Sequence, residues 1–194
     1  MKINLNPPYN LIKQLPYCCV PTCIQMVLSR RGLPPLSPED IGIDLGLTIP
    51  PEEKSNFKKI HSGKMPSAGW GTRINEETYG LNNFFRKNKI HLESKFTSVE
   101  EIKSVKNYIN ENLLKGNDIL VCFRYGTLYP GGALFGHGSL IESIEKDTIT
   151  LVDPHGERKK VNVNDLITSI KVHYKNGQNL GGFWSISNSS TKTL

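Results

Sequence analysis

A cysteine that opens an apolar helical run, with proline in the first turn and a polar amide a few residues upstream, is laid out for nucleophilic chemistry. The stretch Gln14-Leu15-Pro16-Tyr17-Cys18-Cys19-Val20-Pro21-Thr22-Cys23-Ile24-Gln25-Met26-Val27-Leu28 has that layout. A free thiol titrates near about 8.5; the partial positive charge at a helix N-terminus, helped by a nearby imidazolium, lowers that value and raises the thiolate fraction at neutral pH.

An imidazole and a carboxylate follow much later in the chain. Gly136-His137-Gly138 through Ile144, then Glu145-Lys146-Asp147, then Thr148 to Val152 and Asp153-Pro154, read as an antiparallel hairpin with its tip at 145–147. Pairing the two strands brings Asp153 back to within a residue or two of His137. A carboxylate there would accept the Nδ1 proton, fix the tautomer and leave Nε2 facing a thiol. Alone, the pair reads equally well as a strand-end histidine beside a turn aspartate. The joint occurrence of amide, thiol, imidazole and carboxylate, in that chain order, favours catalysis.

With these residues in view the chain resembles the papain-like cysteine peptidases, and within them the bacteriocin-processing (double-glycine leader) peptidases and their stand-alone relatives. The resemblance spans roughly Gln14 to Trp184 and rests on Gln14 with Cys19-Val20-Pro21-Thr22, on Gly136-His137, and on Asp153-Pro154. It implies Cys19 as nucleophile, His137 as base and later acid, Asp153 as orienter and Gln14 as oxyanion donor, with no cofactor and no metal. Two features depart from the family pattern: Val20 stands where the family carries glycine, and Gln14 lies one residue nearer the nucleophile. These keep Cys18 open as an alternative, while the positions of Pro21 and Thr22 favour Cys19. The implied activity is hydrolysis of a peptide or isopeptide bond in a peptide or protein substrate. A silent peptide-binding module, or a transferase or deamidase on the same triad, are the alternatives.

These groups need a helix and a sheet to hold them. A helix is expected from Cys19 to Arg31, with Val20, Cys23, Ile24, Val27 and Leu28 on one face and Gly32 as its stop. A second is expected after the cap Ser37. Residues 48–73 read as a surface excursion in which Gly69-Trp70-Gly71 is either a substrate-binding cleft wall or a satellite core tryptophan; Gly136 is the other expected substrate contact. Further on come a helix over 75–88, a strand over 90–96, and a helix opened by the capping box Ser98-Val99-Glu100-Glu101 that carries Ile102, Val105, Ile109 and Leu113. Strands over 119–125, 138–144, 148–152 and 160–163, a helix capped by Asn164 and a strand over 183–186 complete an α+β domain, the nucleophile helix packed on an antiparallel sheet. The whole chain, 1–194, is expected to form one such domain, with an extended lead-in over 1–13 and a frayed tail over 187–194.

Composition narrows the function classes. Apolar residues make up 37% and charged residues 22% of the 194 residues, with no apolar run near the roughly 18–20 residues of a membrane span. The N-terminus lacks the apolar core of a secretion signal, so a cytoplasmic location is expected. Four cysteines, three of them within 18–23, make no disulfide framework, and a reducing compartment is the simpler reading. The net charge of +6 is scattered without interleaved aromatics, which argues against nucleic acid as partner. Gly131 to His137 has phosphate-loop spacing but puts histidine at the lysine position and a strand after it. Cys18, Cys19 and Cys23 lack the second knuckle of a zinc site. Cys122 lies within a strand, and of His61, His91, His155 and His173 only His155 lies near a candidate residue in sequence.

Overall fold

In a computed structural model, which describes residues 2–58, 63–174 and 181–189, the chain runs β1 (Lys2–Asn4), α1 (Cys19–Arg30), α2 (Pro38–Asp44), β2 (Thr48–Ile49), β3 (Ser67–Ala68), α3 (Leu81–Lys87), β4 (Leu92–Ser98), α4 (Val105–Leu114), β5 (Asp118–Arg124), α5 (Tyr125–Leu128), β6 (Gly136–Glu145), β7 (Thr148–Asp153), β8 (Glu157–Asn162), α6 (Val163–His173) and β9 (Gly182–Asn188). His61 and residues 190–194 of the expected tail lie outside the described residues. No helix among the described residues is long and apolar enough to cross a membrane. Contacts divide the chain into two units, one of Met1–Tyr9, Ser94–Asp153 and Glu157–Ser187, the other of Asn10–Glu93, Pro154–Gly156 and Asn188–Leu194.

The first unit is built on a sheet with strand order β4-β9-β5-β6-β7-β8, to which β1 adds along β6. The apolar residues of β5 do not alternate with polar ones because both its faces are buried: Ile119, Leu120, Val121 and Phe123 are all fully enclosed. Burial of each such side chain contributes about 1.5–3 kcal/mol. The long strand β6 meets β5 over Gly136–Leu140 and β1 over Ser143–Glu145, with β7 along its other edge. A register shift between Ile141 and Ser143 inserts Glu142 as an extra residue, so Glu145 faces Thr148 while Leu140 faces Val152. Arg158 closes this corner: its Nε and Nη2 donate to the two oxygens of Glu142 at 2.7 and 2.8 Å, and Nη2 also donates to the Tyr9 carbonyl. Tyr9 in turn donates from its hydroxyl to buried Asp118 at 2.7 Å.

The second unit holds α1, whose side chains are buried on nearly every side; Gln25, Ser29 and the two ends are the exceptions. Pro21 is tolerated because the first-turn N–H it lacks would have no helical partner. Asp40 N donates to Ser37 Oγ at 3.1 Å and starts α2 at the expected cap.

Three expected elements are altered. Gly80, extended at φ −64 and ψ 152, splits the 75–88 helix into a 3-10 turn at Glu77–Tyr79 and α3. The Ser98–Glu101 capping box is formed, but on one 3-10 turn; the chain is extended at Ile102, and α4 starts afresh with Ser104 accepting from Asn107 N. The last helix begins two residues early, capped by Asn162. A local cap specifies a helix start and not how far the helix runs.

Candidate active site

His137 and Asp153 meet inside the first unit. Continuing the β6–β7 register one residue past Leu140–Val152 sets Asp153 opposite Ser139, two residues along β6 from His137 and on the same face. That offset is roughly 6.5 Å along the strand, so the distal ring nitrogen makes the contact. His137 Nε2 lies 3.2 and 3.1 Å from the two carboxylate oxygens. This reverses the expected orientation, in which Nδ1 met the carboxylate. Both side chains are buried, at 1% and 0% exposure, so their interaction is little screened by solvent. Ser139 Oγ donates to Asp153 Oδ2 at 3.3 Å. Sequence reading missed Ser139, although its place two residues beyond His137 on one strand face was the available signal.

Aromatic rings enclose the imidazole. Phe123, its direct cross-strand partner on β5, and Tyr125 present edges at centroid distances of 5.6 and 5.1 Å, and Phe135 stands at 6.1 Å. Lys159 Nζ donates to the Tyr125 hydroxyl at 3.1 Å, lies 4.2 Å above the Tyr129 ring and pairs with Glu157. Burial opposes the Lys159 charge, but the Tyr125 hydroxyl, Glu157 and the Asp153 carboxylate outweigh it and raise its pKa. Burial, then the nearby Asp153 charge, pushes the Tyr129 phenol well above its ordinary range.

Gly136, expected as a substrate contact, packs against α6: a Cβ there would stand 2.6 Å from His173 Cε1. His173 is itself buried, and that burial, with the Arg124 charge, lowers its pKa.

The thiols of Cys18, Cys19 and Cys23 belong to the second unit, that of Cys122 to the first. Cys19 is the first residue of α1 and is partly exposed; Cys18, one residue earlier, is fully buried in a cluster with Leu47, Ile49 and Phe57, against which Leu15 and Tyr17 pack. Burial, with smaller contributions from Cys19 and Glu39, drives the Cys18 thiol far above its ordinary range, so Cys18 stays protonated at neutral pH. Cys23, also fully buried, lies on the apolar face of α1. The turn into the helix is strained, with Tyr17 at φ +63, a left-handed conformation uncommon for a non-glycine residue. Tyr17 meets Trp70 edge to face at 5.5 Å, and Trp70 is 77% exposed, which removes the reading of a core tryptophan. Gly69 and Gly71 both have positive φ, and a Cβ on Gly69 would stand 2.5 Å from Thr48 Oγ1.

Gln14 donates from its backbone N–H to the Pro154 carbonyl at 2.7 Å, which ties it to the residue following Asp153. Its Oε1 is buried without a hydrogen-bond partner among the described residues.

No protein-family model matches the chain, and no curated protein matches it. Among solved structures it is similar to one described as "Crystal structure of an putative C39-like peptidase from Bacillus anthracis", at 13% identity and a TM-score of 0.61, over 98% of this chain and 100% of that one. The α+β fold, with helices and an antiparallel sheet, is therefore shared with that protein.

Proposed function

We propose that this chain is a papain-like cysteine peptidase, its two units forming one catalytic domain. Cys19 is the nucleophile, His137 the general base and then acid, Asp153 the group that orients His137, and Gln14 a donor to the oxyanion. The observation that carries the reading is the buried His137–Asp153 pair, in a fold shared with the protein described as a "putative C39-like peptidase". In this mechanism Cys19 Sγ, having lost its proton to His137, attacks the carbonyl carbon; the C–N bond breaks and His137 returns the proton to the leaving amine. Water, giving a proton to His137, then attacks the thioester carbonyl; the C–S bond breaks, the acid is released and the Cys19 thiolate with protonated His137 is restored. Because Nε2 is engaged with Asp153, Nδ1 is the nitrogen through which His137 exchanges its proton. Trp70, exposed beside the turn that precedes Cys19, is proposed to contact substrate.

The test is the pH profile of thiol alkylation, read by mass spectrometry in the parent and in His137→Ala, with circular dichroism to verify folding. Cys19 should react first and Cys18 only on unfolding. Removing His137 should move the half-point of the Cys19 profile towards about 8.5, the value of an unassisted thiol. Identical profiles would mean that the imidazole does not act on the thiol, and the chain would then read as a peptide-binding module.

A further inference from the structure

The second unit contains a pocket of about 560 Å³ that the proposed chemistry does not use. Its volume lies within the roughly 300–1,000 Å³ of ligand sites. Lys64, Arg73, Arg86 and Lys87 line it, with Asp44 as the acid of the lining, so four cations less one anion leave three net positive charges. Asp44 is already paired with Lys87 and accepts from Asn88 Nδ2 at 2.9 Å. Arg73 is fixed in place: Nε donates to the Gly46 carbonyl at 3.2 Å, the guanidinium lies 4.1 Å over the Tyr79 ring, and Nη1 is 3.8 Å from Glu76, which stands outside the lining. Arg86 is bonded to Asn83. Cations held in advance lose less conformational freedom when a ligand arrives.

We infer that this pocket binds an acidic stretch of polypeptide. The cations come from three separate stretches of chain, which suits several spaced carboxylates better than one small ion. Beneath them Leu47 and Phe84 form an apolar floor. The rim includes Ser67 of β3, an exposed strand that pairs with β2 and has no strand along its other edge among the described residues. Such an edge offers backbone groups to an extended chain. Nucleic acid fits less well, because a single strand binds by stacking bases on open rings. Of the two aromatic residues here, Tyr79 is covered by Arg73 and Phe84 is buried. Leu47 of the lining also belongs to the buried cluster that holds Cys18, the residue before α1. The stretch bound is therefore assigned to the substrate of the proposed peptidase, a step that rests on that reading, whereas the binding itself does not.

The test uses the full chain carrying Cys19→Ala and the fluorescence anisotropy of a labelled decapeptide alternating Glu and Ala, against the same peptide with Gln. The acidic peptide should bind more tightly, and increasingly so at low salt, and Lys64→Gln with Arg86→Gln, both exposed positions, should weaken it about fivefold or more. Equal binding of the Gln peptide, or no loss in the double variant with its fold intact by circular dichroism, would overturn the inference. Displacement by inorganic phosphate at equal charge concentration would reduce the pocket to a free-anion site, and tighter binding of a single-stranded oligonucleotide through the same two residues would reassign it. The readout needs no turnover, so its failure is distinct from failure of the triad.

Discussion

Replacing Asp153 by asparagine removes one charge from a fully buried pair and leaves its volume nearly unchanged. Both carboxylate oxygens lie within 3.2 Å of His137 Nε2, with side-chain exposures of 1% and 0%. Removing one partner of such a pair costs about 3–5 kcal/mol. If that loss falls on the step in which His137 carries the proton, then at about 1.36 kcal/mol per power of ten, turnover should fall by roughly two to nearly four powers of ten. The Asp153→Asn side chain keeps one carbonyl oxygen to which Ser139 Oγ can still donate, so the fold should survive. The assay is kcat on whichever member of a fluorogenic peptide library the parent cleaves, with a thermal melt of each protein. Because the pair is out of water, the loss should be the same at about 0.05 and 0.5 M salt, whereas an exposed pair would be screened. A folded Asp153→Asn protein within tenfold of the parent would refute the argument that the carboxylate acts through His137.

Gly136→Ala should bring Cβ against His173 and, as an overpacking change, cost about 1–3 kcal/mol; thermal melts of the single and double variants should show His173→Ser recovering part of that loss. Burial alone would raise the Glu142 pKa, but the Arg158 fork and the Tyr9 N–H outweigh it and hold it below 4.5. A depressed carboxylate stabilises the fold above its unfolded pKa and loses that contribution as pH falls through the folded value. Stability should therefore decline below about pH 4.5, and denaturant melts should find that decline shallower in Arg158→Met. For His173 the lowered pKa gives the same sign at higher pH: the unfolded chain takes up a proton below about 6.5 that the buried ring resists, so stability should fall from there downward, and His173→Phe should flatten the profile.

The start of α1 at Cys19, its end near Gly32, the Ser37 cap and the hairpin carrying His137 and Asp153 were all legible in the sequence. Each is written in a few neighbouring residues: proline and cap positions, apolar period, turn residues. What the sequence could not settle depends on atoms distant along the chain. Cys18 and Cys19 are chemically alike and adjacent, and only the packing of Leu47, Ile49 and Phe57 buries one and leaves the other partly exposed. The extra residue at Glu142 sets Asp153 opposite Ser139, where an unbroken register from Glu145–Thr148 would set it opposite Leu140, and the remaining two-residue offset from His137 brings Nε2, not Nδ1, to the carboxylate. Likewise nothing local to Gly136 shows that α6 sets His173 against it. Local propensity marks that an element is present; its extent, register and burial are decided only when the elements pack.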